Sequence, residues 1–180
     1  MHESTSRFIL LFAVFALIAV PVLAAEEIKT LAIGAKAPDF ALPGVDGQVH
    51  KLADYDQAKV LVVVFTCNHC PTAQAYEGRI KKLAADYKDK GVTLVAISPN
   101  DPQAVRLDAL GYTDLGDSLA DMKIRAKDKG FNFPYLYDGD KQEVSKAYGP
   151  MTTPHVFIFD SERKLRYVGR VDNNEKQPDK

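Results

Sequence analysis

Two cysteines three residues apart, Cys67 and Cys70, are the residues of this chain best suited to do chemistry. They are its only cysteines, and His69 lies between them. Two thiols at this spacing can form a disulfide with each other, and a thiolate is the species that attacks the disulfide of a partner. The motif therefore predicts redox chemistry.

The cysteine pair lies where a strand gives way to a helix. Residues 59–65 form an apolar, β-branched run that is typical of a buried central strand in a parallel sheet, and apolar residues recur at helical spacing after Pro71. The N-terminus of a helix stabilises an anion and can lower the pKa of a thiol. We expect Cys67 to be the more exposed sulfur and the nucleophile, and Cys70, one helical turn on, to be the resolving cysteine.

His69 has two interpretations. If it is protonated, it would stabilise the neighbouring thiolate and make the disulfide a stronger oxidant; otherwise it is an ordinary solvent-exposed histidine. A structural zinc site usually needs four ligands, which 2 Cys and 4 His hardly supply, and Pro71 stands where covalent haem attachment needs a histidine. We expect no metal and no cofactor. The alternative of a copper metallochaperone, with Cys67, Cys70 and His155 as soft ligands for Cu(I), stays open.

The N-terminal segment has the pattern of a secretory signal peptide. A charged start precedes an unbroken apolar run from Phe8 to Val20, and small residues follow up to Ala24. The run is shorter than the ~18 residues that a spanning helix needs. We expect residues 1–24 to be removed on export to the periplasm or beyond, with membrane contact only through this segment. Residues 25–36 are a lead, 37–174 one domain and 175–180 a polar tail.

Charge and element order limit the function and the fold. The formal net charge is −1 with no basic cluster, which argues against a nucleic-acid partner. The patterns predict a hairpin turning at Asp46-Gly47, strands over 59–65, 92–98, 131–138, 156–159 and 164–169, and helices after Cys70, around 104–110, over 119–129 and over 141–148. This order predicts an α/β sheet with helices on both faces. From Asp172 onward we expect a frayed end.

Thr153-Pro154, just before the strand at 156–159, is a second candidate site. A peptide bond before proline adopts the cis form far more readily than other peptide bonds. A trans proline is also tolerated at the start of a strand, because its missing N–H costs little there. The local sequence leaves both forms open.

Taken together, these motifs resemble those of a thioredoxin-fold protein. More narrowly, the chain resembles the peroxiredoxin-like redoxins, which are related to the alkyl hydroperoxide reductase/thiol-specific antioxidant family. The likeness runs from about Ala37 to Asn174 and rests on residues 65–71, 75–77, 133–138, 153–154, 159–160 and 169–170. It implies a thioredoxin-like fold: a mixed central sheet flanked by helices, with an N-terminal β-hairpin. It also implies a cis-proline loop beside the cysteines, with Thr66, Thr153 and Pro154 contacting the substrate.

The resemblance implies an antioxidant or disulfide-reducing thiol–disulfide oxidoreductase. Its partners would be a protein or small-molecule disulfide or thiol, and an upstream thiol reductant. The alternative is a thiol peroxidase of peroxiredoxin type. Against it, the Pro-x-x-x-Thr-x-x-Cys pattern of peroxiredoxins is missing, because Cys67 takes the place of the threonine when Cys70 is aligned with the peroxidatic cysteine. Family members also continue into a last helix over the sheet, for which residues 172–180 are short and polar.

Overall fold

The computed structural model describes residues 28–103, 115–174 and 176. The predicted signal peptide and the predicted helix around 104–110 lie outside these ranges. In chain order the described elements are β1 (Ala41–Pro43), β2 (Val49–Lys51), β3 (Val60–Phe65), α1 (Pro71–Tyr87), β4 (Val92–Ser98), α2 (Leu119–Lys129), β5 (Tyr135–Tyr137), α3 (Glu143–Tyr148), β6 (His155–Phe159) and β7 (Leu165–Gly169). Short 3-10 turns cover Leu52–Tyr55 and Lys88–Lys90.

Strand β3 lies at the centre of a five-stranded mixed sheet of order β5-β4-β3-β6-β7. It runs parallel to β4 and antiparallel to β6, while β5 is parallel to β4 and β7 is antiparallel to β6. Strands β1 and β2 form a separate N-terminal hairpin. The predicted thioredoxin-like fold is confirmed. The cysteine motif follows the carboxyl end of β3, the central strand.

Helices cover both faces of the sheet, as the element order predicts. Successive side chains of a strand point to opposite faces, so β3 contributes to two cores. Val62 and Val64 pack with Tyr76 and Ile80 of α1. The opposite-facing residues of β3 pack with Tyr148 of α3 and with the N-terminal hairpin. Because α1 is held by its apolar side against the central strand, its N-terminus is fixed beside the cysteines.

The aromatic stretch before α3 is a shorter strand than the sequence predicts. Only Tyr135–Tyr137 pairs with β4, so the predicted strand over 131–138 is wrong at its start. Pro134 has no N–H to donate to a neighbouring strand. Phe131 and Phe133 instead stack on each other, with ring centroids 4.9 Å apart, and pack beside α2.

Both ends of the described chain are held against the domain. The lead enters the fold at Leu31, whose N–H donates to the Tyr148 carbonyl. At the other end Asp172 accepts hydrogen bonds from Tyr76 and Arg79 of α1, at 2.9 and 2.7 Å. The expectation of fraying from Asp172 is therefore wrong at this residue, because a carboxylate paired with a guanidinium and a phenol fastens it. No helix among the described residues is long and apolar enough to span a membrane.

Candidate redox site

The two cysteines lie on either side of the junction between β3 and α1. Cys67 follows the strand by two residues and is buried, with 3% of its surface exposed. Cys70 is the N-cap of α1, with Pro71 in the first helical position, and is partly exposed. Proline is tolerated there because the first N–H groups of a helix have no intrahelical acceptor. Cys70 is thus the sulfur that lies at the positive end of the helix and that a partner can reach.

The environment makes the two thiols unequal. A hydrogen bond from Cys67, helped by the backbone N–H groups of Ala73 and Thr72, lowers the pKa of Cys70 to about 5 although burial acts in the opposite direction. The same sulfur–sulfur hydrogen bond raises the pKa of Cys67, and burial and the negative charge of Asp117 raise it as well. These opposite shifts favour the thiolate on Cys70 and the thiol on Cys67.

The expectation that Cys67 is the more exposed sulfur is wrong. The position of a cysteine at a helix N-terminus is predictable from sequence, but which of two cysteines takes the cap depends on where the helix begins. The helix begins at Pro71, so Cys67 and Asn68 are buried in the loop that ends at the cap. The exposure of the two sulfurs is the reverse of the one expected.

The cis-proline loop lies directly against the cysteines. The Thr153–Pro154 peptide bond is cis, so the first of the two predicted forms is present. Thr153 Oγ1 is 3.3 Å from Cys67 Sγ, and the Thr153 carbonyl oxygen is 3.5 Å from Cys70 Sγ. Pockets of about 320 and 350 Å³ lie at this loop; Met151, Thr152 and Thr153 help to line one, and Thr72, Thr152 and Pro154 the other. The structure therefore brings together both cysteines, Thr153 and Pro154.

Thr66 and His155 are placed differently from these residues. Thr66 is buried, and its N–H donates to the Ile97 carbonyl, which leaves it little surface for a substrate. Its predicted part in substrate binding stays a prediction. His155 is also buried; its Nδ1 accepts the Met151 N–H at 3.1 Å, and burial lowers its pKa. Because Nδ1 already accepts this hydrogen bond, His155 is a poor candidate for a third copper ligand.

The His69 side chain is held by a hydrogen bond to Asp117. Its side chain is about one-fifth exposed, and Nδ1 makes a short hydrogen bond to Asp117 Oδ2. Asp117 also accepts the backbone N–H groups of Asn68 and His69. Of the two interpretations of His69, plain solvent exposure is wrong, because a buried carboxylate holds the ring.

One group of potential metal ligands occurs among the described residues. Cys67, His69 and Asp117 place a sulfur, a ring nitrogen and a carboxylate oxygen within 4.8 Å of one another. Both carboxylate oxygens are already used by N–H donors, four in all. We therefore assign no metal to this group. His155 is not part of it, so the ligand set of the copper alternative is not assembled among the described residues.

Sequence reasoning missed three residues of the site: Asn68, Asn100 and Asp117. Asn68 is inside the motif but is buried, and it exchanges hydrogen bonds with Gly116 and Tyr135 rather than facing a partner. Asp117 lies at the end of a stretch without a clear pattern. The sequence Asp117-Ser118 before the amphipathic helix is a helix-start signal, and Ser118 is indeed the N-cap of α2. That signal predicts a helix cap, but it does not predict that Asp117 contacts the loop between the cysteines.

Comparison with known proteins places this arrangement in a family. The AhpC/TSA family matches residues 33–168, which span the hairpin, the cysteine motif and the cis-proline loop. The chain belongs to the AhpC/TSA family. This confirms the resemblance drawn from the motifs, and the protein is a redox enzyme of the redoxin class.

Individual relatives point to two branches of redox chemistry. The chain is 25% identical over 142 residues to the thiol-disulfide oxidoreductase ResA of Geobacillus thermodenitrificans (strain NG80-2), covering 79% of this chain and 71% of ResA. It is 31% identical over 118 residues to a protein of Mycobacterium tuberculosis (strain CDC 1551 / Oshkosh) that carries the provisional name of a peroxiredoxin, covering 64% and 62% of the two chains. A solved structure, an uncharacterized conserved protein from Geobacillus kaustophilus, superposes with a TM-score of 0.72 at 40% identity, over 82% and 74% of the two chains.

Proposed function

We propose that this protein is an exported thiol–disulfide oxidoreductase in which Cys70 attacks and Cys67 resolves. The observation that carries the proposal is the placement of Cys70 at the α1 N-cap, partly exposed and with its pKa lowered to about 5. A thiolate at neutral pH that a partner can reach is the species that attacks a disulfide. The roles are the reverse of those expected from the sequence.

The reaction follows from the two acidities. The Cys70 thiolate attacks one sulfur of the partner's disulfide, so that a mixed disulfide forms and the partner's other sulfur leaves as a thiolate. Cys67 then loses its proton and attacks Cys70 Sγ, closing the Cys67–Cys70 disulfide and releasing the partner's second thiolate. Two electrons pass from the enzyme to the partner, and an upstream thiol reductant restores the dithiol. Thr153 and Pro154 border the sulfurs and would contact the partner.

The role assignment is tested by trapping the mixed disulfide. Reduced Cys67→Ser and Cys70→Ser variants are exposed to glutathione disulfide, quenched with acid and analysed by mass spectrometry. We expect Cys67→Ser to accumulate one glutathione on Cys70, because nothing resolves it, and Cys70→Ser to react at least about tenfold more slowly, because the buried thiol is protonated. Faster trapping on Cys67 in the Cys70→Ser variant would restore the opposite assignment.

A thiol peroxidase is the second candidate, favoured by the position of Cys70 at the N-cap of a helix with Cys67 three residues before it. The Cys70 thiolate would attack one oxygen of a peroxide and become a sulfenic acid, while the O–O bond breaks and the other oxygen leaves as water or an alcohol. The Cys67 thiol would then condense with the sulfenic acid, forming the disulfide and releasing water. Consumption of hydrogen peroxide by the wild type with dithiothreitol as reductant tests it. No acceleration over the Cys70→Ser variant would exclude this activity.

Export is part of the proposal and depends on the sequence of residues 1–24. Expression of the full chain in a Gram-negative host, followed by N-terminal sequencing of the periplasmic fraction, tests it. We expect a mature N-terminus at Ala25 or Glu26. Recovery of the uncleaved chain in the cytoplasmic fraction would refute export without affecting the redox assignment.

A further inference from the structure

Gly116 and Asp117, just before α2, contact the cysteine loop, which is the stretch from Cys67 to Cys70. The two segments are almost fifty residues apart in the chain. Asp117 is completely buried there. Its Oδ1 accepts the backbone N–H groups of Asn68 and His69, at 2.7 and 3.3 Å. Its Oδ2 accepts the side chains of His69 and Asn100, the latter at 2.8 Å. Gly116 adds a fourth link to the loop, since its carbonyl accepts the Asn68 side-chain amide at 2.8 Å.

This arrangement is more than the local helix needs. α2 already has its own N-cap, Ser118, whose hydroxyl accepts the Asp121 N–H. Burying a carboxylate is costly unless it is hydrogen-bonded or paired. Within the described residues, no lysine or arginine forms an ion pair with Asp117. Three of its four donors come from residues 68 and 69, so what the carboxylate holds is mainly the cysteine loop.

We propose that Asp117 is a positioning residue that fastens the loop between Cys67 and Cys70 to the segment before α2 and keeps the two thiols chemically unequal. Cys67 Sγ, a ring nitrogen of His69 and a carboxylate oxygen of Asp117 lie within 4.8 Å of one another. A negative charge at this range disfavours a second anion on Cys67. Cys70 lies outside this group, at the N-cap of α1.

Beside the hydrogen bond with Cys70 and burial, Asp117 is the ionisable group that disfavours an anion on Cys67. Tyr135 of β5 donates its hydroxyl to Asn68 Oδ1, and burial raises its pKa well above the ordinary value, so it stays neutral. Glu77 of α1 is paired with Arg125 of α2 at 2.8 Å. His69 is itself held by Asp117. A substitution at Asp117 therefore removes the loop's anchor and its nearest fixed negative charge together.

The electrostatic part is tested in a Cys70→Ser background, where Cys67 is the sole thiol. The rate of alkylation of Cys67 by iodoacetamide is followed from pH 6 to 11 with and without Asp117→Asn, which keeps the size and one oxygen acceptor. We expect the midpoint of the profile to fall by about one pH unit, so that alkylation below both midpoints is about tenfold faster. Asp128→Asn, the same change at an exposed position of α2, is the control and leaves the profile unchanged. Superposed profiles for a folded Asp117→Asn variant would overturn the proposal.

If Asp117→Asn does not fold, the anchoring is tested by Asn100→Ala in the otherwise wild-type protein. This change keeps the charge and removes one side-chain donor of Asp117. We expect deuterium uptake at the amides of Asn68 and His69 to become at least about threefold faster, and to stay unchanged in the exposed control Gln103→Ala. Unchanged uptake in Asn100→Ala would overturn the anchoring.

The inference deepens the proposed function and rests on it for its meaning in turnover, but the two fail separately. Neither measurement uses a disulfide partner. A wild type that never reacts with glutathione disulfide would refute the oxidoreductase and leave the role of Asp117 standing. If the wild type reduces glutathione disulfide but Asp117→Asn leaves the alkylation profile of Cys67 unchanged, the oxidoreductase stands and the role of Asp117 is refuted.

Discussion

At the scale of single residues, reactivity is divided between two sulfurs that the sequence presents as near equals. Cys70 has the helix cap and the donors that stabilise a thiolate, and Cys67 has burial and a neighbouring carboxylate that oppose one. Each sulfur also supports the other's state, because a thiol can donate to a thiolate and two thiolates would repel. The division of labour therefore belongs to the pair as a unit.

The pH dependence of Cys70 follows from this division. Because the pKa of Cys70 is lowered to about 5, its alkylation by iodoacetamide should rise between pH 4 and 6 and stay level from about pH 6.5 upward. A free cysteine would still be rising through pH 8.5. Cys67→Ala removes the thiol that donates to the Cys70 thiolate, so it should move the midpoint of Cys70 alkylation upward by about one pH unit or more.

Peptide mapping of the alkylated protein at each pH provides the measurement for Cys70. Cys67→Ser is the matched control, since its hydroxyl can still donate and should move the midpoint less than the alanine does. A wild-type midpoint near 8.5 would contradict the assignment of Cys70 as the thiolate.

At the scale of elements, α3 is fixed by a close approach between its last turn and the N-terminal lead. Gly149 ends the helix in the left-handed region at φ 63°, and its carbonyl accepts Thr30 Oγ1 at 2.8 Å. A Cβ at this position would lie 2.2 Å from the Lys29 carbonyl oxygen, closer than any real contact. The helix and the lead can meet here because residue 149 has no side chain.

Substitution of Gly149 and Gly78 by alanine compares a glycine that the structure requires with one that it does not. Gly149→Ala should lower the free energy of unfolding by more than about 2 kcal/mol, from left-handed strain plus the clash with Lys29. Gly78→Ala, in the exposed middle of α1 where a Cβ meets nothing within 4 Å, should raise it by about 0.5–1 kcal/mol. Urea denaturation of the reduced proteins measures both. Equal effects of the two substitutions would show that the contact with the lead carries no stability.

At the scale of the whole molecule, the fold sets the redox potential of the cysteine pair. A stabilised Cys70 thiolate favours the dithiol state and so makes the disulfide more oxidising. We expect a potential above thioredoxin's, which is roughly −270 mV, and on the side of strong oxidants near −120 mV. Equilibration of the metal-free protein with glutathione buffers at pH 7 measures it. A value at or below about −270 mV would contradict the stabilisation of the thiolate.

Much of the architecture could be predicted from the sequence because it depends on local patterns. β4 and α2 occur at the predicted residues, 92–98 and 119–129, since a β-branched run and a capped amphipathic stretch each carry their own start and stop signals. The cysteine motif likewise announces its place between a strand and a helix. Errors arose where contacts with distant residues decide the local structure, as at residues 131–134, which pack beside α2, and at Asp172, which binds Tyr76 and Arg79.

The sequence by itself predicted a Cys-x-x-Cys pair at a helix start, in a sheet with helices on both faces, and the family resemblance added the Thr-Pro loop beside it. Only the tertiary structure decided which sulfur is exposed at the helix cap, because that depends on where the helix begins and on which residue is covered. It alone brought in Asp117 and Asn100, since contacts between segments far apart in the chain leave no periodicity or local motif. Burial and hydrogen bonding, which set the pKa of each thiol, are properties of the folded neighbourhood.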